Sequence, residues 1–219
     1  MEIKRMAGLL TILVLTGCQG ESHTTDVPRS GEPTEWTFDF FTPEALLALV
    51  TYAVVQDAND KVYEFNTLNR TSVLPGVIGQ WNDKDRASGV YWNHVDRQPR
   101  HIIFCWDSII DKKVYQTTLA IPKADLEKML RPAGQKDYWG RTAYYDRVQI
   151  GLAPGGKVAV WLQGIRSEPN YRVTPSILKT VSGDNLDICK GITKSDFNYG
   201  YDQDIKDFIK GKKYPYGIW

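Results

Sequence analysis

The sequence predicts a mainly β protein: a single antiparallel β-sandwich or open-barrel-like domain with two short helices, preceded by a signal peptide and a flexible tether. Three observations carry this reading. From Trp36 onward, short runs alternate apolar and polar residues, the period of a half-buried strand. Clusters rich in Gly, Pro, Asn and Asp separate those runs at hairpin distances. Only two segments carry apolar residues at helical spacing, and both are short. Many short strands with few helices favour sheet packed on sheet. No internal repeat is visible, and residues 35–219 suit one domain with its own core.

The elements follow in order. "EWTFDFF" alternates aromatic and polar positions and reads as the first strand. "LALVTYAVVQD" is a second β-rich run, and "DANDKVYEF" sets an Asn/Asp turn before a third, which makes a hairpin. Residues 66–98 are rich in Gly, Asn and Asp and form the least regular part. "RHIIFCWDS" and "KKVYQTTLAIP" are two strands joined through a short connection at residues 109–111. Pro122 ends the second of them and can open a helix, because its missing N–H costs nothing in a first turn. "KADLEKMLR" places Leu126, Met129 and Leu130 at helical spacing and stops at Pro132. "YYDRVQIGLAPGGKVAVWLQG" is the clearest unit, two alternating runs flanking the tight-turn residues Pro154-Gly155-Gly156. "DQDIKDFIKG" repeats Ile205, Phe208 and Ile209 on one face and closes on Gly211, a short C-terminal helix.

The first residues address the compartment. Lys4 and Arg5 precede an apolar run from Met6 to Leu15 that only Thr11 interrupts. The run falls short of the roughly 20 apolar residues that span a bilayer. A charged start, a short apolar core and small residues before a cut site describe a secretory signal instead. Leu15-Thr16-Gly17-Cys18 resembles the bacterial lipobox, which implies cleavage after residue 17 and lipidation of Cys18. Gln19 stands where inner-membrane retention signals carry Asp, so the resemblance favours an anchor on the periplasmic face of the outer membrane. Each buried methylene of an acyl chain contributes about 0.8 kcal/mol, so several chains hold a protein firmly. Residues 18–34 are polar, with Pro28 and Pro33, and read as a tether setting the domain on the order of 20 Å from the bilayer.

Removing residues 1–17 takes away Lys4, Arg5 and Glu2 and leaves 25 basic and 25 acidic side chains. That balance excludes a basic nucleic-acid footprint. Cys105 and Cys189 remain. An envelope location permits a disulfide between them, yet "HIIFCW" reads as core strand, where a free thiol is equally at home. The sequence leaves both readings open.

With the strands laid out, the central part resembles the bacterial lipoprotein family catalogued as domain of unknown function 2931. The resemblance rests on Trp106 and Ser108, on Tyr115 and Pro122 (one residue longer than the family's spacing), and on Gly151 to Gly156 with Trp161 and Leu162. It spans roughly residues 36 to 165, and the closing "YPYGIW" looks similar to the family as well. What it implies is a lipidated β domain in the envelope; it supplies no activity and no catalytic residues.

The residues themselves offer little chemistry. A Gly-x-Ser-x-Gly elbow, a His-Glu-x-x-His helix and a phosphate-cradling glycine loop are absent. Of three histidines, His23 lies in the tether, while His94 and His101 stand near Asp96 and Asp107 without the spacing of a metal pair. Asp83, Asp85 and Asp96 fall in the irregular region but lack the alternating ligands of a calcium loop. Aromatic residues are the notable excess, with seven Trp and twelve Tyr. Trp81, Tyr91, Trp92, Tyr138 and Trp139, with Tyr144 and Tyr145, fall in or beside predicted loops. Aromatic rings concentrate at interaction surfaces because they bury large area and keep a polar edge, though they also build small second cores. The expectation is a lipid-anchored periplasmic binding protein without catalysis, cofactor or metal, whose partner is a protein. An immunity protein against an envelope-acting antibacterial toxin is its most concrete form. A cell-wall or glycan binder, or a hydrolase using the Asp-rich loop with His94, are the alternatives.

Overall fold

A computed structural model describes residues 32–85, 92–197 and 200–219. In chain order the elements are β1 (Trp36–Pro43), β2 (Ala48–Asp57), β3 (Val62–Phe65), β4 (Ser72–Leu74), β5 (His94–Val95), β6 (Pro99–Ser108), β7 (Lys113–Ala120), α1 (Lys123–Met129), β8 (Arg147–Ala153), β9 (Lys157–Leu162), β10 (Tyr171–Val173), β11 (Ile177–Ser182) and α2 (Gln203–Ile209). One sheet runs β10-β9-β8-β1-β4, with β5 pairing the start of β1; the other runs β11-β7-β6-β2-β3. Pairing is antiparallel except where β1 meets β8 and β4, which it joins in parallel. The fold is therefore mainly β, two open sheets packed face to face, with the two expected helices.

Sequence periodicity decides which side chains fill the space between the sheets. In β1, Trp36, Phe38 and Phe40 point inward and are at most 2% exposed. They meet Phe104 and Trp106 of β6 and Ile150 and Leu152 of β8. Phe40 and Phe104 bridge the sheets with ring centroids 4.9 Å apart. Burying each such side chain contributes about 1.5–3 kcal/mol. Within β2 the phase changes: Ala48 and Val50 pack inward before Thr51, Ala53 and Val55 after it. A bulge between Val50 and Tyr52 resets the alternation, because one extra residue turns every later side chain to the opposite face.

Local turn chemistry links the strands. At Pro154-Gly155-Gly156 both glycines take positive φ, +79° and +71°, which glycine alone adopts without strain. Ala153 then pairs with Lys157 across the turn. Pro122 occupies the N-cap of α1, one position ahead of the first turn where the sequence suggested it, and its carbonyl accepts the N–H groups of Asp125 and Leu126.

The last forty residues bind the two outer faces together. Cys189 is joined by a disulfide to Cys105 on the outer side of β6, closing a sequence separation of 84 residues. Beside it, the Gln116 side-chain carbonyl accepts the N–H groups of Asp187 and Cys189. The chain then crosses the end of the sandwich through α2, whose Ile205 packs with Leu46 and Ile110. It finishes on the outer face of the first sheet, where Trp219 meets Trp81 at 4.9 Å.

Candidate functional site

The outer face of the first sheet has two halves, set by the register of β1, β8 and β9. Opposite Phe41 stands Gly151, and opposite Gln149 stands Trp161. Phe41 and Trp161 lie 5.3 Å apart and are roofed by Trp81, 5.6 Å from each. Gly151 makes room for that roof: a Cβ there would meet the Trp81 ring at 2.8 Å and Phe41 at 2.9 Å. This half is a closed second core. Trp81, expected at a partner surface, is half-buried and packs edge-on against this second core, because the missing side chain at Gly151 leaves room for its ring.

The other half is polar and open. Thr37 pairs with Arg147 and Asp39 with Gln149. The Arg147 Nε donates to Thr37 Oγ1 at 3.1 Å and lies 3.6 Å from Asp39 Oδ2. Asp39 is 4% exposed and accepts from Asn69 Nδ2 at 2.9 Å. Burial raises the Asp39 pKa above the usual carboxylate value, and the Asn69 hydrogen bond and the Arg147 charge only partly oppose it. Gln149 Nε2 donates to Gln163 Oε1 at 2.8 Å. Of these residues, Thr37, Arg147 and Gln163 line the floor of a cleft of about 820 Å³. Its walls are residues 32–35 ahead of β1, the stretch around Arg166, and the loop that carries Tyr138 and Trp139.

That loop is organised by one carboxylate. Asp137 Oδ1 accepts the N–H groups of Trp139 and Arg141 at 2.9 and 2.8 Å, and Oδ2 accepts from Arg141 Nε at 2.7 Å. Gly140 takes φ +79° at the tip, and Lys136 and Thr142 form an antiparallel bridge at the base. Desolvation pushes the Asp137 pKa up, but the Arg141 side chain and the two backbone N–H groups outweigh it and hold the carboxyl below its usual range. The Arg141 guanidinium also sits 4.8 Å from the Trp139 ring. Tyr138 and Trp139 remain 81% and 73% exposed, packed edge to face at 5.9 Å. The loop presents its rings to solvent.

The remaining expected residues are distributed as follows. Cys18 and Tyr91 lie outside the described residues. Trp92 is 73% exposed and does not line the cleft. Asp107, once paired in sequence with His101, spends its Oδ2 on Thr193 Oγ1 and the N–H groups of Lys194 and Ser195 at 2.8–3.0 Å. His101 instead meets Gln56 Oε1 at 3.1 Å. Asp96, beside His94, is held by Lys61 at 2.6 Å, which keeps its pKa low. Asp83 accepts from the Trp161 indole at 2.6 Å and Asp85 from Asn82 at 2.7 Å. Among the described residues no three His, Cys, Asp or Glu side chains stand together as a metal site. Sequence reasoning missed Asp137 and Arg141; the signal was Asp137-x-x-Gly140-Arg141, an Asx-type turn with a glycine for positive φ.

Neither the curated proteins nor the solved structures provide a match to this chain. One family model does match, described as a protein of unknown function, DUF2931, over residues 20–217. It takes in the cleft, the aromatic loop and the C-terminal strap, well beyond the central motifs that first suggested it. The chain belongs to the DUF2931 family of proteins of unknown function.

Proposed function

We propose that this protein is a lipid-anchored binding protein of the bacterial envelope, held by Cys18, that captures a protein partner in its open cleft and performs no chemistry on it. The observation that carries this reading is the cleft itself: about 820 Å³, lined by Arg147 and Arg166 and by Glu32, Glu35 and Asp146, over a floor where β1 pairs with β8. A lining of mixed charge favours specific capture, since misplaced like charges repel wrong partners. The Cys105–Cys189 bridge supports an oxidising compartment such as the periplasm. Within this class, neutralisation of a secreted antibacterial toxin acting in the envelope is the most concrete role. It is an analogy of type, not of fold.

The test uses Arg166, an exposed side chain on the cleft rim, and Lys179, an exposed position on β11 of the other sheet. Wild type, Arg166→Glu and Lys179→Glu, each lipidated and with matching thermal unfolding, are recovered from native envelopes with whatever they hold. A protein retained by wild type and Lys179→Glu but bound about tenfold more weakly by Arg166→Glu, a change of about 1.4 kcal/mol, supports the reading. Equal recovery by all three moves the partner off the cleft, and recovery of cell-wall fragments in place of a protein replaces the toxin reading with a glycan one.

A further inference from the structure

The first described residues and the protruding aromatic rings share one end of the molecule. Residues 32–35, where the described chain begins, line the same cleft as Tyr138 and Trp139. Cys18 lies fourteen residues before Glu32, and fourteen residues span at most about 50 Å even when fully extended. A lipid on Cys18 therefore keeps this end within that distance of the bilayer, whatever path the intervening residues take.

The two rings have the chemistry of that boundary. Trp and Tyr settle at headgroup level because one part of each ring is apolar and the other carries a hydrogen-bonding edge. At 81% and 73% exposure they leave apolar surface in water. The Asp137 hub holds them there in place of letting them fold back. The surrounding charge is not basic: Arg141 is paired with Asp137, and Glu32, Glu35 and Asp146 share the cleft with Arg147 and Arg166. Attraction to anionic lipid is not what would draw this end down.

We propose that the Tyr138–Trp139 tip seats in the headgroup layer of the bilayer that holds Cys18, so that the cleft opens at the membrane surface. This rests on the anchor reading above. It follows that the partner captured by the cleft is one that works at that surface.

The test places the full lipidated chain in phosphatidylethanolamine–phosphatidylglycerol vesicles, with and without brominated phosphatidylcholine, which quenches nearby tryptophan. Trp36, Trp106 and Trp161 are at most 1% exposed and lie beyond its reach. Wild-type emission should fall by about a tenth or more in brominated vesicles, as one of seven tryptophans enters the headgroup layer. Most of that fall should vanish in Trp139→Phe, and exchanging phosphatidylglycerol for phosphatidylcholine should leave it unchanged. Wild type that floats with vesicles yet shows no quenching overturns the docking and leaves the anchor standing. Wild type that does not float overturns both. Quenching that persists in Trp139→Phe assigns the contact to another residue. A double variant Tyr138→Ser, Trp139→Ser that loses partner capture, in a chain whose wild type is not quenched, assigns the rings to the partner and overturns the proposal.

Discussion

Asp137 shows how much of a surface can depend on one side chain. Its carboxylate satisfies two backbone N–H groups and one guanidinium within five residues, converting a polar loop into a fixed mount for two aromatic rings. Charge-assisted hydrogen bonds of this kind are the stronger ones, and they need the ionised form. Because the folded pKa lies below its unfolded value, the contribution is complete above the ordinary carboxylate pKa, about 3.9. It is lost only as pH falls through the lower folded value. Fluorescence anisotropy read as the difference between wild type and Trp139→Phe should therefore stay constant from neutrality to about pH 5 and drop only below about pH 4. Asp137→Ala should show the low-acid anisotropy already at neutral pH. An unchanged anisotropy in Asp137→Ala would remove the carboxylate from its organising role. The sequence displayed Tyr138 and Trp139 as loop aromatics, but equally Trp81, which packs half-buried on the outer face of the first sheet. What separates them is a glycine seventy residues away, Gly151, beneath Trp81, and no local pattern reports such a distant vacancy.

At the scale of elements, what depended on short-range chemistry was legible. The β8–β9 hairpin is the clearest case, since Gly155 and Gly156 announce positive φ in the sequence and adopt it in the fold. Gly155→Val and Gly156→Val should each destabilise by about 1 kcal/mol or more. The second should be worse, because even its Cβ would approach Tyr115 and Thr180 at 3.0 and 3.1 Å. Thermal unfolding checks this, and two variants that melt with wild type would mean the turn is not needed. Elements missed in the sequence were of another kind. β4, β5 and β10 have two or three residues each, too few for alternation to register. β11 is an edge strand with its first three residues exposed, so its burial pattern is weak. The parallel join of β1 to β8 brings together residues more than a hundred positions apart, and nothing local encodes it. The disulfide is similar: "HIIFCW" suits a buried thiol or a bridge, and only the return of Cys189 to the face of β6 decides. In the chain-entropy account, closing that 84-residue separation contributes roughly 4.5 kcal/mol.

Across the whole molecule, the two outer faces are treated differently. The second sheet's face receives the strap through Cys189, Gln116 and Asp107. The first sheet's face is closed at one half by Trp81 and Trp219 and left open at the half nearest residues 32–35. The fold class could be read from periodicity, since each strand announces its own buried face. The cleft could not, because its floor joins β1 and β8, its walls come from three separate loops, and its charges are scattered through the sequence. The claim that this open half captures a partner is tested most directly in living cells. Tyr144, a half-buried aromatic lining the cleft, is replaced by the photo-crosslinking residue p-benzoylphenylalanine, and Lys179 on the opposite sheet is replaced in parallel. Irradiation should give one discrete protein adduct from position 144 and none from position 179; no adduct at 144, or the same adducts from both positions, would contradict the account.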